Sequence, residues 1–179
     1  MRIITGEYRG RKLQTPRNYN VRPTTDKVKE AIFNLLIPYL REDIVVLDLF
    51  SGTGNLGLEA LSRCAKKCYF SDSSRESIRL IKDNIKVCNA EDKSVVLAGD
   101  YRQNINRVYD KLDIVFLDPP YAENYYLTAL SELKKTGKLN EGACIVCEHA
   151  EKNELPDEYE GFKKVKDKKY GSIGVSIYE

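Results

Sequence analysis

Short, nearly continuous apolar runs alternate along this chain with segments whose apolar residues recur every three to four positions. The runs Ile44–Leu49, Lys67–Ser71, Val95–Ala98, Leu112–Leu117 and Ala143–Glu148 read as strands, and the periodic segments Leu56–Arg63, Ser74–Cys88, Tyr101–Tyr109 and Tyr125–Lys134 as helices. Strands without polar alternation, each followed by a helix, predict a parallel sheet covered on both faces. Near the end, Phe162–Val165 and Ile173–Tyr178 are two more strands joined by a turn at Gly171, and so short a link requires an antiparallel pair at the sheet's edge. The acidic stretch Glu151–Glu160 reads as a surface connection. Together these give an α/β fold: a Rossmann-like, mostly parallel seven-stranded sheet with helices on both faces.

The start of the chain differs. Residues 1–23 hold Gly6, Gly10, Pro16 and Pro23 around short β-prone pieces at Arg2–Thr5 and Leu13, which predicts a small β-hairpin arm. Residues 24–179 then form one domain. Its first helix is capped by Thr24 or Thr25, carries Val28, Ala31, Ile32, Leu35, Leu36 and Tyr39 with helical period, and ends or bends at Pro38.

A doubly wound sheet binds ligands outside the carboxyl ends of its strands. Four strands here end in an acid: Asp48, Asp72, Asp100 and Asp118. After Asp48 comes Ser51-Gly52-Thr53-Gly54-Asn55-Leu56-Gly57, which contains G-x-G-x-x-G, and Asp72 follows Gly52 by 20 residues, where a carboxylate would accept from ribose hydroxyls. The pattern by itself also describes a dinucleotide site. A pyrophosphate, however, is an anion, and Asp48 at the mouth of the loop would repel it. The same charge suits the ammonium and sulfonium of S-adenosylmethionine. In Gly99-Asp100-Tyr101, the carboxylate could accept from an adenine amino group while the Tyr101 amide meets the ring; a plain turn aspartate is the alternative.

The fourth strand runs into Asp118-Pro119-Pro120-Tyr121. The prolines stiffen the backbone and remove two amide donors, leaving carbonyl acceptors. An exocyclic base amine is a poor nucleophile because its lone pair is delocalised into the ring. The Asp118 carboxylate and Pro119 carbonyl can orient it and stabilise the positive charge that develops on nitrogen. Tyr121 can stack on an extruded base.

Composition supports a folded, water-soluble protein: 179 residues, 42% hydrophobic and 31% charged, with no apolar run near the roughly 18 residues of a membrane span. Without a signal-peptide core in MRIITGEYRGRK, a cytoplasmic location is expected. The five cysteines are irregularly spaced, and Cys144 and Cys147 fall three apart on a strand, on opposite faces, so buried thiols rather than a metal site are expected. The net charge is only +2, yet residues 1–29 carry net +6 and the rest net −4. Such a basic segment suits a polyanion, although a solvated basic edge has the same composition.

The chain resembles the RsmD family, the bacterial guanine-N2 methyltransferases of small-subunit ribosomal RNA. Arg2–Gly6 with Arg9–Leu13, Arg22–Glu30 with Phe33-Asn34, Leu47–Gly54 with Gly57–Arg63, and Asp118–Tyr121 carry the resemblance. It implies a class I S-adenosylmethionine-dependent methyltransferase, monomeric, acting on 16S ribosomal RNA or an assembling small subunit; the methyl transfer read from these residues needs no metal. Carried over by position, it implies a donor site of Asp48, Ser51, Gly52, Thr53, Gly54, Asp72, Ser73, Asp100, Tyr101 and Asp118. The catalytic set is then Asp118, Pro119, Pro120 and Tyr121, and the RNA contacts Arg9, Arg11, Lys12, Arg17 and Arg22. One departure is the turn after Asp72, where Ser73 and Ser74 stand and the family often has a second acid. A DNA adenine-N6 or cytosine-N4 methyltransferase would use the same tetrad but needs a target-recognition domain. A nicotinamide oxidoreductase would need a substrate domain, and a non-catalytic RNA-binding module would not need the strand-end acids.

Overall fold

The computed structural model describes residues 1–16, 25–120 and 124–179. Its eight strands are β1 (Val45–Asp48), β2 (Lys67–Asp72), β3 (Ser94–Ala98), β4 (Leu112–Leu117), β5 (Leu139–Ala150), β6 (Glu158–Tyr159), β7 (Phe162–Tyr170) and β8 (Ile173–Tyr178). They lie in the order β3-β2-β1-β4-β5-β8-β7-β6. β1 to β5 are parallel, and β8 and β7 run antiparallel at one side.

The expected count of seven strands is corrected to eight. The addition is β6, a two-residue strand on β7 inside the acidic connection, too short and polar to show as an apolar run. β7 also extends past the expected Val165 to Tyr170, because an edge strand exposes one face and its lysines hide it from a search for apolar residues.

Five α-helices, α1 (Asp26–Leu35), α2 (Asn55–Arg63), α3 (Arg75–Cys88), α4 (Tyr101–Asn106) and α5 (Asn124–Thr136), cover the sheet. Alternate strand residues feed two separate cores. Val46, Phe70, Ile114, Phe116 and Cys144 join α1, α2, α3 and the N-terminal arm on one face. Leu47, Tyr69, Val115, Leu117 and Cys147 join α4 and α5 on the other. Cys144 and Cys147 are thus both buried and on opposite faces, as their spacing predicts.

Thr25 caps α1 by accepting from the Val28 amide at 3.3 Å. Pro38 lies in a 3₁₀ turn, Ile37–Tyr39, that closes this helical segment. The arm's described part is hairpin-like and, among the described residues, is paired by one isolated bridge, Arg2 to Lys12. Its Ile3, Tyr8 and Leu13 are buried in the core, so the arm's described part is packed onto the domain.

Candidate active site

The loop after β1 carries the first acid. Gly54 caps α2 in a left-handed conformation, φ 79°, with no side chain to accept from the helix's first amides. Asp48 does this from below: its carboxylate accepts from the Gly57 amide at 3.0 Å. The residue is 2% exposed and therefore lies under the loop, not at its mouth. Burial, opposed by the Gly57 hydrogen bond and reinforced by the charge of Asp72, pushes its carboxyl up to about 7.

Ser51 locks the loop to β2. Its hydroxyl donates to the Asp48 carbonyl at 2.6 Å and accepts from the Ser71 amide at 2.9 Å. Asp72 accepts from the Gly52 amide and, through its other oxygen, from the Ser74 amide, both at 2.9 Å. Ser73 beside it is exposed. A side-chain carbon added at Gly52 would meet nothing within 4 Å, so the loop's backbone faces open space there.

Asp100 caps α4, accepting from the Arg102 amide at 2.9 Å. Buried Asn104 fixes the turn behind it through the Ser71 hydroxyl and the Leu97 and Gly99 carbonyls. The Tyr101 ring packs 5.2 Å from Phe50 and 5.9 Å from Tyr125, centroid to centroid. Its hydroxyl is buried and has no hydrogen-bond partner among the described residues.

Asp118 follows β4, with Pro119 buried and Pro120 exposed. Neighbouring protein and the charges of Glu148 and Asp48 push the Asp118 carboxyl well above the usual carboxylate range. Asp118 as a whole is exposed to solvent, so water relaxes the burial effect and the like charges are the firmer cause. Glu148, 8% exposed, is a site residue that the sequence reading missed. The register Leu117↔Cys147 sets it beside Asp118. Its signal was available: it ends the expected fifth strand, Ala143–Glu148, as the other acids end or follow theirs. Tyr121, Arg17 and Arg22 lie outside the described residues.

Two buried polar side chains join the arm to the donor loop. Lys29, fully buried, donates to the Arg2 carbonyl and to Asn55 Oδ1 (2.6 Å), and sits 3.1 Å from Glu59. Glu59 also accepts from the Ile4 and Thr5 amides and from Arg63. Asn84 accepts from the Gln14 amide at 2.7 Å and donates to the Gln14 and Thr53 carbonyls. Thr53 also touches Met1, its hydroxyl 3.2 Å from the sulfur. Arg9 and Lys12 are exposed, whereas Arg11 is half-buried and donates to the Val87 carbonyl at 3.0 Å.

A cavity of about 680 Å³ opens between Leu127, His149 and Lys164, lined mostly by the segment that follows β5. Its lysines are paired, Lys164 with Asp157 and Lys169 with Glu151.

A family model described as Conserved hypothetical protein 95 matches residues 1–179. Ribosomal RNA small subunit methyltransferase D of Haemophilus influenzae is 36% identical over 184 residues, covering 100% of this chain and 93% of the relative. The protein of the same name from Escherichia coli K12 is 34% identical over 187 residues, covering 100% and 89%. A solved Escherichia coli structure, described as a candidate methyltransferase, yhhF, superposes with a TM-score of 0.87 at 32% identity, over 99% of this chain and 96% of that one. A match of that length, carried by both sequence and fold, makes this chain a member of the RsmD family.

Proposed function

We propose that this chain transfers a methyl group from S-adenosylmethionine to the exocyclic N2 of a guanine in small-subunit ribosomal RNA. The observation that carries the reading is the acceptor cluster at the carboxyl edge. Asp118 and the Pro119 carbonyl stand at the end of β4, within electrostatic reach of Asp48 under the glycine loop. The named relatives are small-subunit ribosomal RNA methyltransferases, which supports the RNA substrate.

The residues present fit the donor. The open face over Gly52 leaves room beside a backbone that a side chain would otherwise crowd. The Phe50–Tyr101–Tyr125 aromatic group beside Asp100 offers an apolar wall suited to a flat base. Asp48, Ser51, Gly52, Thr53 and Gly54 would hold the methionine end, Asp72 and Ser73 the ribose, and Asp100 and Tyr101 the adenine. When bound, the donor supplies an electrophilic methyl group.

The chain supplies position and charge. Asp118 and the Pro119 carbonyl accept from the guanine amino group and turn its lone pair toward the methyl. As nitrogen gains positive charge, those acceptors and the nearby Glu148 stabilise it. The proton leaves the nitrogen after transfer, and the solvent-facing Asp118 carboxylate can receive it. Pro120 keeps the segment rigid, and Tyr121 is assigned the face of the base. Arg9, Arg11, Lys12, Arg17 and Arg22 are assigned to the RNA backbone.

The test is transfer of labelled methyl from S-adenosylmethionine to small-subunit RNA lacking the modification, offered free and as particles, followed by nucleoside analysis. N2-methylguanosine is the expected product. Label in DNA and none in RNA would keep donor and fold and overturn the substrate.

A further inference from the structure

Helix α3 starts three residues after Asp72, at the donor edge, and runs toward the far end of the sheet beside edge strand β3. Arg75, Arg79, Lys82 and Lys86 are all exposed on it. At 100° per residue, these positions fall within about 60° of one another, and at 1.5 Å per residue they span about 16 Å. They make one stripe, directed away from the face that buries Leu80, Ile81, Asn84, Ile85 and Cys88.

A solvated helix face usually mixes signs and pairs them at four-residue spacing. Here Arg75–Arg79 and Lys82–Lys86 are like-charge pairs at that spacing, and each costs the helix a few tenths of a kcal/mol. Glu76 and Asp83 stand three or four residues from Arg79 and Lys86 and soften that repulsion, yet none of the four cations forms a close ion pair among the described residues.

The far end of the stripe borders a groove of about 230 Å³ lined by Lys82, Ile85, Lys86, Glu91, Ser94 and Val96. The Ser94 hydroxyl is buried there with no hydrogen-bond partner among the described residues. Two ammonium groups and an unused hydroxyl suit an anionic oxygen, and the two lysines outnumber Glu91. The arm adds to the same end: Arg11 donates to the Val87 carbonyl, in the last turn of α3.

We propose that the α3 stripe and this groove are a track for the sugar-phosphate backbone of the substrate RNA, leading from the donor edge to the basic arm. This rests on the RNA methyltransferase reading above. Phosphate contacts position a nucleic acid without reading its sequence, and four cations over about 16 Å match several successive phosphates.

The test measures binding of small-subunit RNA by the full chain across a salt series. It compares Arg79→Glu/Lys82→Glu/Lys86→Glu, the milder Lys82→Gln/Lys86→Gln, and Lys168→Glu, an exposed site on β7, as control. The triple variant should weaken RNA binding by about tenfold or more and flatten the salt slope by about one per lost contact. The glutamine pair should do so less, and the control should match wild type. Melting temperature should shift by no more than about a few degrees, and affinity for S-adenosylhomocysteine should not change. Unchanged RNA affinity and slope in the triple variant, while wild type still methylates RNA, would overturn the track alone. A wild type that neither binds nor methylates RNA would overturn the function reading and the track with it.

Discussion

At the scale of residues, the site is defined by carboxylates with different surroundings. Asp48 is buried and committed to the Gly57 amide, whereas Asp118 faces solvent beside Glu148. Replacing Asp118 with alanine should lower kcat by on the order of 10²–10³ while leaving the donor's dissociation constant near wild type, since the acceptor acts on the amine. Equal losses in turnover and donor binding, measured by steady-state kinetics and calorimetry, would make Asp118 structural instead. Asp48 gives a pH signature. Its folded carboxyl is raised to about 7 from 3.8, so the folded state holds a proton that the unfolded state releases between those values. The stability it contributes is whole below about 4 and lost as pH rises through 7. Thermal melts of the donor-free protein from pH 5 to 8 should therefore fall more steeply for wild type than for Asp48→Asn. Parallel curves would show that Asp48 does not titrate there. How much of this was legible differs by residue. The strand-end acids could be read because a strand's last residue is found from local pattern, but the burial of Asp48 comes from α2 and β2 closing over it.

At the scale of elements, the first turn of α2 is held by two other segments. Gly57 lies against β2: a Cβ there would come 2.4 Å from the Phe70 ring and 2.7 Å from the Cys68 sulfur. Gly57→Ala should destabilise the fold by about 1–3 kcal/mol, a lowered midpoint in urea unfolding, because both contacts are core atoms that cannot step aside. Lys29 holds the start of the same helix through Asn55. Burial draws its ammonium below the ordinary lysine value, and the charge and hydrogen bond of Glu59 oppose that. Lys29→Met should cost about 3–5 kcal/mol, since it leaves Glu59 buried with fewer partners. Adding Glu59→Leu should not restore stability, because the Ile4 and Thr5 amides and Arg63 would then lose their acceptor. A double variant as stable as wild type would show that the network is dispensable. The spacing of α1 and α2 announced both helices, but nothing in either pattern paired Lys29 with Glu59, 30 residues on.

At the scale of the whole molecule, the basic start of the chain and the donor loop form one body. Arg2 and Gln14 of the arm reach Asn55 and Thr53 of the loop through single buried side chains, Lys29 and Asn84. Arg9→Glu/Lys12→Glu, which alters only exposed side chains, should weaken RNA binding and its salt dependence without changing donor affinity. Gln14→Pro, which removes the amide that donates to Asn84, should instead raise the donor's dissociation constant. If calorimetry finds donor affinity unchanged in Gln14→Pro, the arm supports RNA alone. Among the described residues no helix is long and apolar enough to cross a membrane.

The amino-acid sequence by itself determined the alternating elements, the parallel character of the central sheet, the glycine loop and the acids at the strand ends. Each of these is a local property, set by side-chain period, by glycine's tolerance of positive φ and by position within a strand. Only the tertiary structure decided the strand order, the two-residue β6, the burial of Asp48 as the cap of α2, the place of Glu148 beside Asp118, and the packing of the arm onto α2 and α3. Those depend on contacts between residues far apart in the chain. A pattern along the chain does not encode which of several compatible surfaces will meet, because that choice is made by the packing of the whole core.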